Sequence, residues 1–305
     1  MASFSHIFAV LAWFAFLHGS EVAASNSSLV PFRIMPLGAS VTFGVGSTTG
    51  DSYRKDLEDL LLANGNTVTY VGTNKNGNFT DNAVEAVSGF VISQISALAN
   101  TAVPQLKPNL VLLDAGTNNC NQGGTVPDAG ANVTSLINNI FQQSPGATVI
   151  LTTILVNPAA AQDACRVTVN EQYTALANKI QSIGAKLILV DMRSLAGPLV
   201  TDLADGRHSN DAGYVKMANV WFSGIQEVIS KGMIVKPSTN ATAVVGSTGN
   251  VAKSSTTSAR ASQTSSTLVT TPSPVKGSGT RAVGTGGREA GLRVGMGFMV
   301  AAAGI

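Results

Sequence analysis

The chain has 305 residues, of which 44% are hydrophobic and 12% charged, and its formal net charge is +2. This near-neutral balance, with no basic block before the C-terminal tail, excludes a nucleic-acid binder that works by electrostatic attraction. Length alone allows two domains, but the composition changes along the chain and divides it into three parts.

The first part has the pattern of a secretory signal. Residues 7–17 form an apolar core that is too short to span a bilayer, and Val22-Ala23-Ala24 is a small-residue cleavage site. We therefore expect residues 1–24 to be a signal peptide and the mature, secreted chain to start near Ser25. The segment before the apolar core has no Lys or Arg, and the alternative is a buried N-terminal helix.

The last part, residues 238–305, is rich in Ser, Thr and Gly and has no hydrophobic period. Such a segment buries too little apolar area to offset its ordering entropy, so we expect a disordered, O-glycosylated stalk. Its apolar end, residues 294–303, resembles the attachment signal of a GPI membrane anchor, and the alternative is a free secreted tail. Four N-glycosylation motifs agree with secretion and begin at Asn26, Asn78, Asn132 and Asn240.

The middle part, residues 25–237, alternates short apolar runs with longer segments of helical period, which predicts an α/β domain. The runs are 32–37, 68–71, 110–114, 148–153 and 186–190; the helical segments are 51–62, 89–99, 128–143, 166–183 and 210–230. Continuous apolar strands separated by helices indicate a parallel sheet covered on both faces. The helical stripes are typical of a core, and they indicate no cofactor pocket and no set of metal ligands.

A serine, a histidine and an aspartate stand where a nucleophilic site would need them. Ser40 follows the first apolar run, and a hydroxyl needs a base to become nucleophilic. His208 is the only histidine after the signal segment, and Asp205 lies three residues before it, where a carboxylate can fix the imidazole tautomer. Asp202 is a competing acid. The alternative is a helix-capping loop in which Asp205 and His208 are merely exposed.

Three groups could supply hydrogen-bond donors to an oxyanion. The Ser40 backbone amide lies at a turn into a helix, and Gly89 has no Cβ, so its amide can approach a substrate closely. Asn118 follows the third apolar run and carries a side-chain amide. All three come just after strands or at a helix start, on the carboxyl side of the predicted sheet, where such folds bind ligands.

These residues together resemble the four blocks of the SGNH (GDSL-type) hydrolases over residues 32 to 235. The blocks are Gly38-Ala39-Ser40, Gly89, Gly116-Thr117-Asn118-Asn119 and Asp205 to His208. The resemblance implies a flavodoxin-like three-layer α/β/α sandwich with a five-stranded parallel sheet and no cofactor. It implies Ser40 as nucleophile, Asp205 and His208 as the rest of the triad, and Ser40, Gly89 and Asn118 as the oxyanion hole.

Within this family the chain is most similar to the carbohydrate esterases of family three, which deacetylate xylan. The resemblance implies a serine esterase that acts on acylated small molecules or plant cell-wall polysaccharide. From the signal segment we expect this enzyme to be secreted, and we expect it to be a monomer. Two positions depart from the family pattern, because Ala39 and Asn119 stand where acids are usual. Neither position is catalytic in the family, so the departures bear on local geometry.

The chain has two cysteines, Cys120 and Cys165, and an isolated pair in an oxidising compartment usually forms a disulfide. In the family strand order 2-1-3-4-5, the strands that precede the two cysteines are neighbours, which brings their loops within bonding reach. The alternative is two buried free thiols.

Competing functions have less support in the sequence. Residues 44–50 are glycine-rich, but the spacing misses the dinucleotide fingerprint and the second strand offers no acid for a ribose. The sequence contains no Gly-x-Ser-x-Gly elbow, which is the motif that would indicate an α/β-hydrolase. Two alternatives remain open: a short-chain lipid or aryl esterase, and a non-catalytic wall-associated glycoprotein that keeps the fold.

Overall fold

The computed structural model describes residues 30–121 and 126–238 of the chain. The predicted signal peptide at 1–24, the glycosylation motifs at Asn26 and Asn240, and residues 239–305 of the predicted tail with its anchor signal lie outside the described residues.

A twisted sheet forms the centre of the described part of the chain and holds seven strands. They are β1 (Phe32–Gly38), β2 (Val68–Tyr70), β3 (Asn74–Lys75), β4 (Ala83–Ala86), β5 (Leu110–Asp114), β6 (Thr148–Thr152) and β7 (Leu187–Val190). The five strands predicted from apolar runs pair in parallel in the order β2-β1-β5-β6-β7. The α/β fold class and the parallel sheet are therefore confirmed.

The predicted count of five strands is too low, because β1 has two partners on one edge. β2 pairs with Phe32–Ile34 at the start of β1, and β4 pairs in parallel with Leu37 and Gly38 at its end. The two-residue β3 then pairs antiparallel with β4. Both added strands are too short to show an alternating pattern, and the buried acid Glu85 interrupts the apolar character of β4.

Helices cover both faces of the sheet, as expected for a three-layer sandwich. They are α1 (Ser40–Phe43), α2 (Arg54–Ala63), α3 (Ile92–Leu106), α4 (Thr117–Asn121), α5 (Ala129–Gln143), α6 (Ala160–Ser182) and α7 (Asp211–Ser230). One core lies between the sheet and α3, α5 and α6, and the other between the sheet and α2 and α7. No helix in the described ranges is long and apolar enough to cross a membrane.

The central strand β5 shows why the strands are continuous apolar runs in the sequence. Leu110 and Leu112 pack into the α2–α7 core, while Val111 and Leu113 pack into the core under α3, α5 and α6. All four side chains are fully buried. A strand buried on both faces loses the polar positions of a half-exposed strand, so its sequence does not alternate.

Candidate active site

Ser40 lies at the carboxyl end of β1, where the strand turns directly into α1. It is the first residue of α1 and is 3% exposed. A Cβ on Gly38, at the end of β1, would lie 2.3 Å from Thr42 Oγ1 and 2.7 Å from the Asp114 carbonyl oxygen. Only glycine fits there, so the tight exit of β1 fixes the place of the Ser40 hydroxyl.

A chain of hydrogen bonds joins Ser40 to His208 and Asp205. His208 Nε2 lies 2.8 Å from Ser40 Oγ, and its Nδ1 lies 2.7 Å from Asp205 Oδ2. An ionised carboxylate can only accept, so the proton is on Nδ1 and the lone pair of Nε2 faces the Ser40 hydroxyl. The imidazole is thereby oriented as a base toward Ser40, and it is 7% exposed.

The Asp205 carboxylate is held in its charged form. Burial raises its pKa, but hydrogen bonds from the His208 ring and from the backbone amides of His208 and Arg207 outweigh this and lower the pKa to about 2. The amides of Arg207 and His208 donate to Oδ1 at 2.9 and 2.8 Å. Asp205 therefore stays an acceptor for the Nδ1 proton at any pH at which a folded protein of this kind would work.

Asp202, the competing acid, faces elsewhere. Its Oδ2 accepts from Lys216 Nζ at 2.6 Å and from the Leu199 amide at 2.7 Å. Both contacts lower its pKa, the lysine first. Asp202 thus caps a short 3-10 helix (Val200–Asp202) and ties it to α7, while Asp205 contacts the histidine.

Neighbouring strands bring the predicted oxyanion donors to the same edge as Ser40. In the sheet register Gly38 pairs with Ala86 of β4 on one side and with Asp114 of β5 on the other. Ser40 follows two residues after Gly38, and Gly89 and Asn118 follow shortly after β4 and β5. β4, which sequence reasoning missed, is thus the strand that delivers Gly89.

Two side chains of α4, which carries Asn118, contact the segment after β4 that carries Gly89. Asn118 Nδ2 donates to the Phe90 carbonyl oxygen at 2.9 Å, and Asn119 Oδ1 accepts from the Ile92 amide at 3.0 Å. The second Nδ2 hydrogen of Asn118 has no partner among the described residues and is available for an oxyanion. Asn119 needs only an acceptor oxygen for this contact, so an amide serves in place of the acid usual in the family.

The surroundings of Gly89 and Ala39 explain the residue type at each of these two positions. Gly89 has φ +87°, and a Cβ there would meet nothing within 4 Å, so its backbone conformation, with open space beside it, is what requires glycine. Ala39 is 9% exposed and packs into the apolar core under α3. A small apolar side chain suits that place.

A disulfide joins Cys120 of α4 to Cys165 of α6, with the two Cα atoms 5.7 Å apart. This confirms the predicted bridge and removes the alternative of two free thiols. It fixes α4, the helix that carries Asn118, to the longest helix of the domain. Asn78 and Asn132, the two glycosylation motifs within the described residues, both have exposed side chains.

Sequence reasoning missed one buried acid beside the site. Asp114 ends β5 and is 6% exposed. Burial raises the pKa of Asp114 to about 7, against the opposing charge of Arg166. The available signal was an acidic residue closing an otherwise wholly apolar strand.

The parallel α/β/α sandwich and the hydrogen-bonded serine, histidine and aspartate at its carboxyl edge agree with the SGNH class of hydrolases. The chain belongs to the GDSL-like lipase/acylhydrolase family, whose model matches residues 37–216.

Relatives and solved structures agree with this class. The chain is 29% identical over 231 residues to a multidomain esterase of Ruminococcus flavefaciens, a match that covers 66% of this chain and 29% of that protein. This chain also matches a second relative, from Acetivibrio thermocellus, and covers 56% of that relative. The chain therefore spans less than two thirds of the curated relatives it matches.

Two solved carbohydrate esterases share the fold. A family 3 carbohydrate esterase of Clostridium thermocellum aligns with a TM-score of 0.59 at 26% identity, over 67% of this chain and 99% of that one. A carbohydrate esterase of family 3 from Talaromyces cellulolyticus aligns with a TM-score of 0.57 at 21% identity, over 66% and 99% of the two chains.

Proposed function

We propose that the protein is a secreted serine esterase that removes small acyl groups, acetyl above all, from plant cell-wall polysaccharide. The single observation that carries the proposal is the hydrogen-bond chain from Asp205 through His208 to Ser40. The similarity to the Clostridium thermocellum family 3 carbohydrate esterase and to the Ruminococcus esterase supports a carbohydrate ester as substrate.

The proposed reaction begins when Ser40 Oγ attacks the ester carbonyl while His208 Nε2 accepts its proton. Asp205 stabilises the resulting imidazolium. The negative oxygen of the tetrahedral intermediate is held by the backbone amides of Ser40 and Gly89 and by the Asn118 side chain. The proton on Nε2 then passes to the leaving alcohol, and a water molecule repeats the sequence on the acyl-enzyme to release the acid. No step calls on a cofactor.

Secretion is part of the proposal and rests on the sequence. The signal-like segment at 1–24, the exposed glycosylation motifs at Asn78 and Asn132, and the disulfide between Cys120 and Cys165 all suit an oxidising, extracellular setting. Attachment through a GPI anchor is a further proposal that rests on the apolar C-terminal end.

A second candidate, a short-chain lipid or aryl esterase, has one observation in its favour. The segment between β7 and His208 exposes three large apolar side chains, Leu195, Leu199 and Val200. Such side chains on that segment could contact an acyl chain or an aryl group. The substrate comparison below therefore decides between the two.

The test is a comparison of acetate release from acetylated xylan with hydrolysis of aryl esters of two, four, six and eight acyl carbons. We expect acetate release from xylan and a steep fall in kcat/KM beyond the shortest aryl esters. Equal or rising kcat/KM with acyl length, and no release from xylan, would favour the second candidate. No turnover of any ester by the folded protein would favour a non-catalytic glycoprotein. The Ser40→Ala variant is the matched control for contaminating activity.

A further inference from the structure

Helix α6 presents a row of buried polar side chains to the turns at the carboxyl edge of the sheet. Arg166 Nη1 donates to the carbonyl oxygens of Leu155 and Val156, at 3.0 and 2.8 Å. Asn170 accepts from the Ile154 amide at 2.7 Å and donates to the Ile154 carbonyl oxygen at 3.1 Å. These residues are spaced by four, so they share one face of α6 and hold the turn after β6.

Tyr173, three residues further along the same face, reaches the other turn. Its hydroxyl donates to the Ala115 carbonyl oxygen at 2.9 Å, and the side chain is fully buried. Ala115 and Gly116 form the link between β5 and α4, the helix that carries Asn118. A Cβ on Gly116, which has φ +105°, would lie 2.8 Å from the Tyr173 hydroxyl. The hydroxyl therefore lies directly beside the Ala115–Gly116 link, and this link sets where α4 begins.

We propose that Tyr173 is a positioning residue for the oxyanion donor Asn118, acting through the Ala115–Gly116 link. The inference rests on the proposed function, in which Asn118 donates to the tetrahedral intermediate. α4 has only five residues; the Tyr173 hydrogen bond ties the Ala115–Gly116 link just before it to α6, and the disulfide of Cys120 ties α4 itself to α6. An oxyanion donor acts over a narrow range of about 2.7–3.1 Å, so a loosened start of α4 weakens Asn118 in the transition state.

Tyr70 provides a matched control on the opposite side of the sheet. Its hydroxyl donates to the Arg54 carbonyl oxygen at 2.8 Å, and the side chain is 2% exposed. Tyr70→Phe and Tyr173→Phe thus each remove one buried hydroxyl-to-carbonyl hydrogen bond and keep the aromatic ring. They differ in that Arg54 belongs to α2 and, within the described residues, makes no hydrogen bond to the Ala115–Gly116 link or to α4; of the elements at the site, its side chain reaches only the far end of α1, at the Phe43 carbonyl oxygen.

The experiment measures thermal unfolding and the kcat and KM for an aryl acetate in wild type, Tyr70→Phe and Tyr173→Phe. We expect the two variants to lose similar amounts of thermal stability. We expect Tyr173→Phe to lower kcat by roughly ten- to a hundredfold with KM within about twofold, and Tyr70→Phe to leave both within about twofold. Equal kcat in the two variants, or unfolding of Tyr173→Phe alone, would overturn the proposal.

A double-mutant cycle with Asn118→Ala tests whether Tyr173 acts through Asn118. If it does, Tyr173→Phe lowers kcat in the wild-type background but changes it by less than about twofold in the Asn118→Ala background. A loss of the same factor in both backgrounds would overturn the proposal. Failure of the proposed function would be visible separately, as turnover that survives in Ser40→Ala.

Discussion

Asp205 and His208, three residues apart, form a closed unit in which one carboxylate makes three hydrogen bonds. Asp205 Oδ2 accepts from the His208 ring at 2.7 Å, and Oδ1 accepts from the amides of Arg207 and His208. A residue outside this loop also stabilises it, because Asn157 Nδ2 donates to the Gly206 carbonyl oxygen at 3.1 Å. The imidazole is thus oriented by its own loop before any substrate binds.

Replacing each candidate acid separately tests this assignment. We expect Asp205→Asn to lower kcat by about 10⁴-fold, because an amide stabilises the wrong tautomer of the imidazole. Asp202→Asn is the matched control, since it changes the neighbouring acid that contacts Lys216. It should keep kcat/KM within a few-fold of wild type. A larger loss from Asp202→Asn than from Asp205→Asn would show that the acid is misassigned.

Asp114 should make stability fall as the pH rises. Burial raises its pKa from 3.8 to about 7, with Arg166 opposing, so the folded chain holds a proton that the unfolded chain has lost. The groups that interact with it are Arg166, Tyr53, Tyr173 and Tyr214. Stability from the neutral acid is complete below pH ~4 and is lost as the pH rises to about 7.

Thermal unfolding of wild type and Asp114→Asn between pH 4 and 8 measures this difference. The asparagine variant should gain stability relative to wild type across the window, by up to about 4 kcal/mol at the alkaline end. At pH 4 the two proteins should differ least. A difference that does not change with pH would mean that Asp114 is solvated or paired in the folded protein.

Removing the disulfide should lower both stability and turnover. Cys120 and Cys165 are 45 residues apart, so the bridge is worth roughly 4 kcal/mol in the chain-entropy model. The double variant Cys120→Ser, Cys165→Ser also frees α4, which makes Asn118 a poorer donor and lowers kcat more than KM. Thiol titration of the denatured, unreduced protein should find no free thiol from this pair. Two thiols per chain would show that the bridge does not form.

The sequence predicted the strands that appear in it as apolar runs, including the three-residue β2, which lies within the run 68–71. The five parallel strands and the helices between them have enough apolar residues to show a clear pattern. β3 and β4 have two and four residues; β4 forms by pairing with Leu37 and Gly38 at the end of β1, and β3 forms by pairing with β4. Such pairing follows from tertiary geometry, so no local pattern could have predicted it.

The residues of the candidate site were predictable where the chemistry allows only a few residue types. Residues that only hold the site in place were harder to predict. A single histidine with an aspartate three residues before it left few choices for a base and its partner. Tyr173 has a helical spacing that fits an apolar core position, and nothing local indicates that its hydroxyl reaches Ala115. Contacts between residues 58 positions apart require the fold itself.

The most direct test of the account is hydrolysis of an aryl acetate by purified Ser40→Ala beside wild type. Because the Ser40 hydroxyl makes its one hydrogen bond within residues 30–121 and 126–238 to the His208 ring, the alanine variant should fold normally, as thermal unfolding would verify. The account predicts that kcat falls by roughly 10⁵-fold, since the residues of a triad act as a unit. Activity within about tenfold of wild type in the folded variant would contradict it.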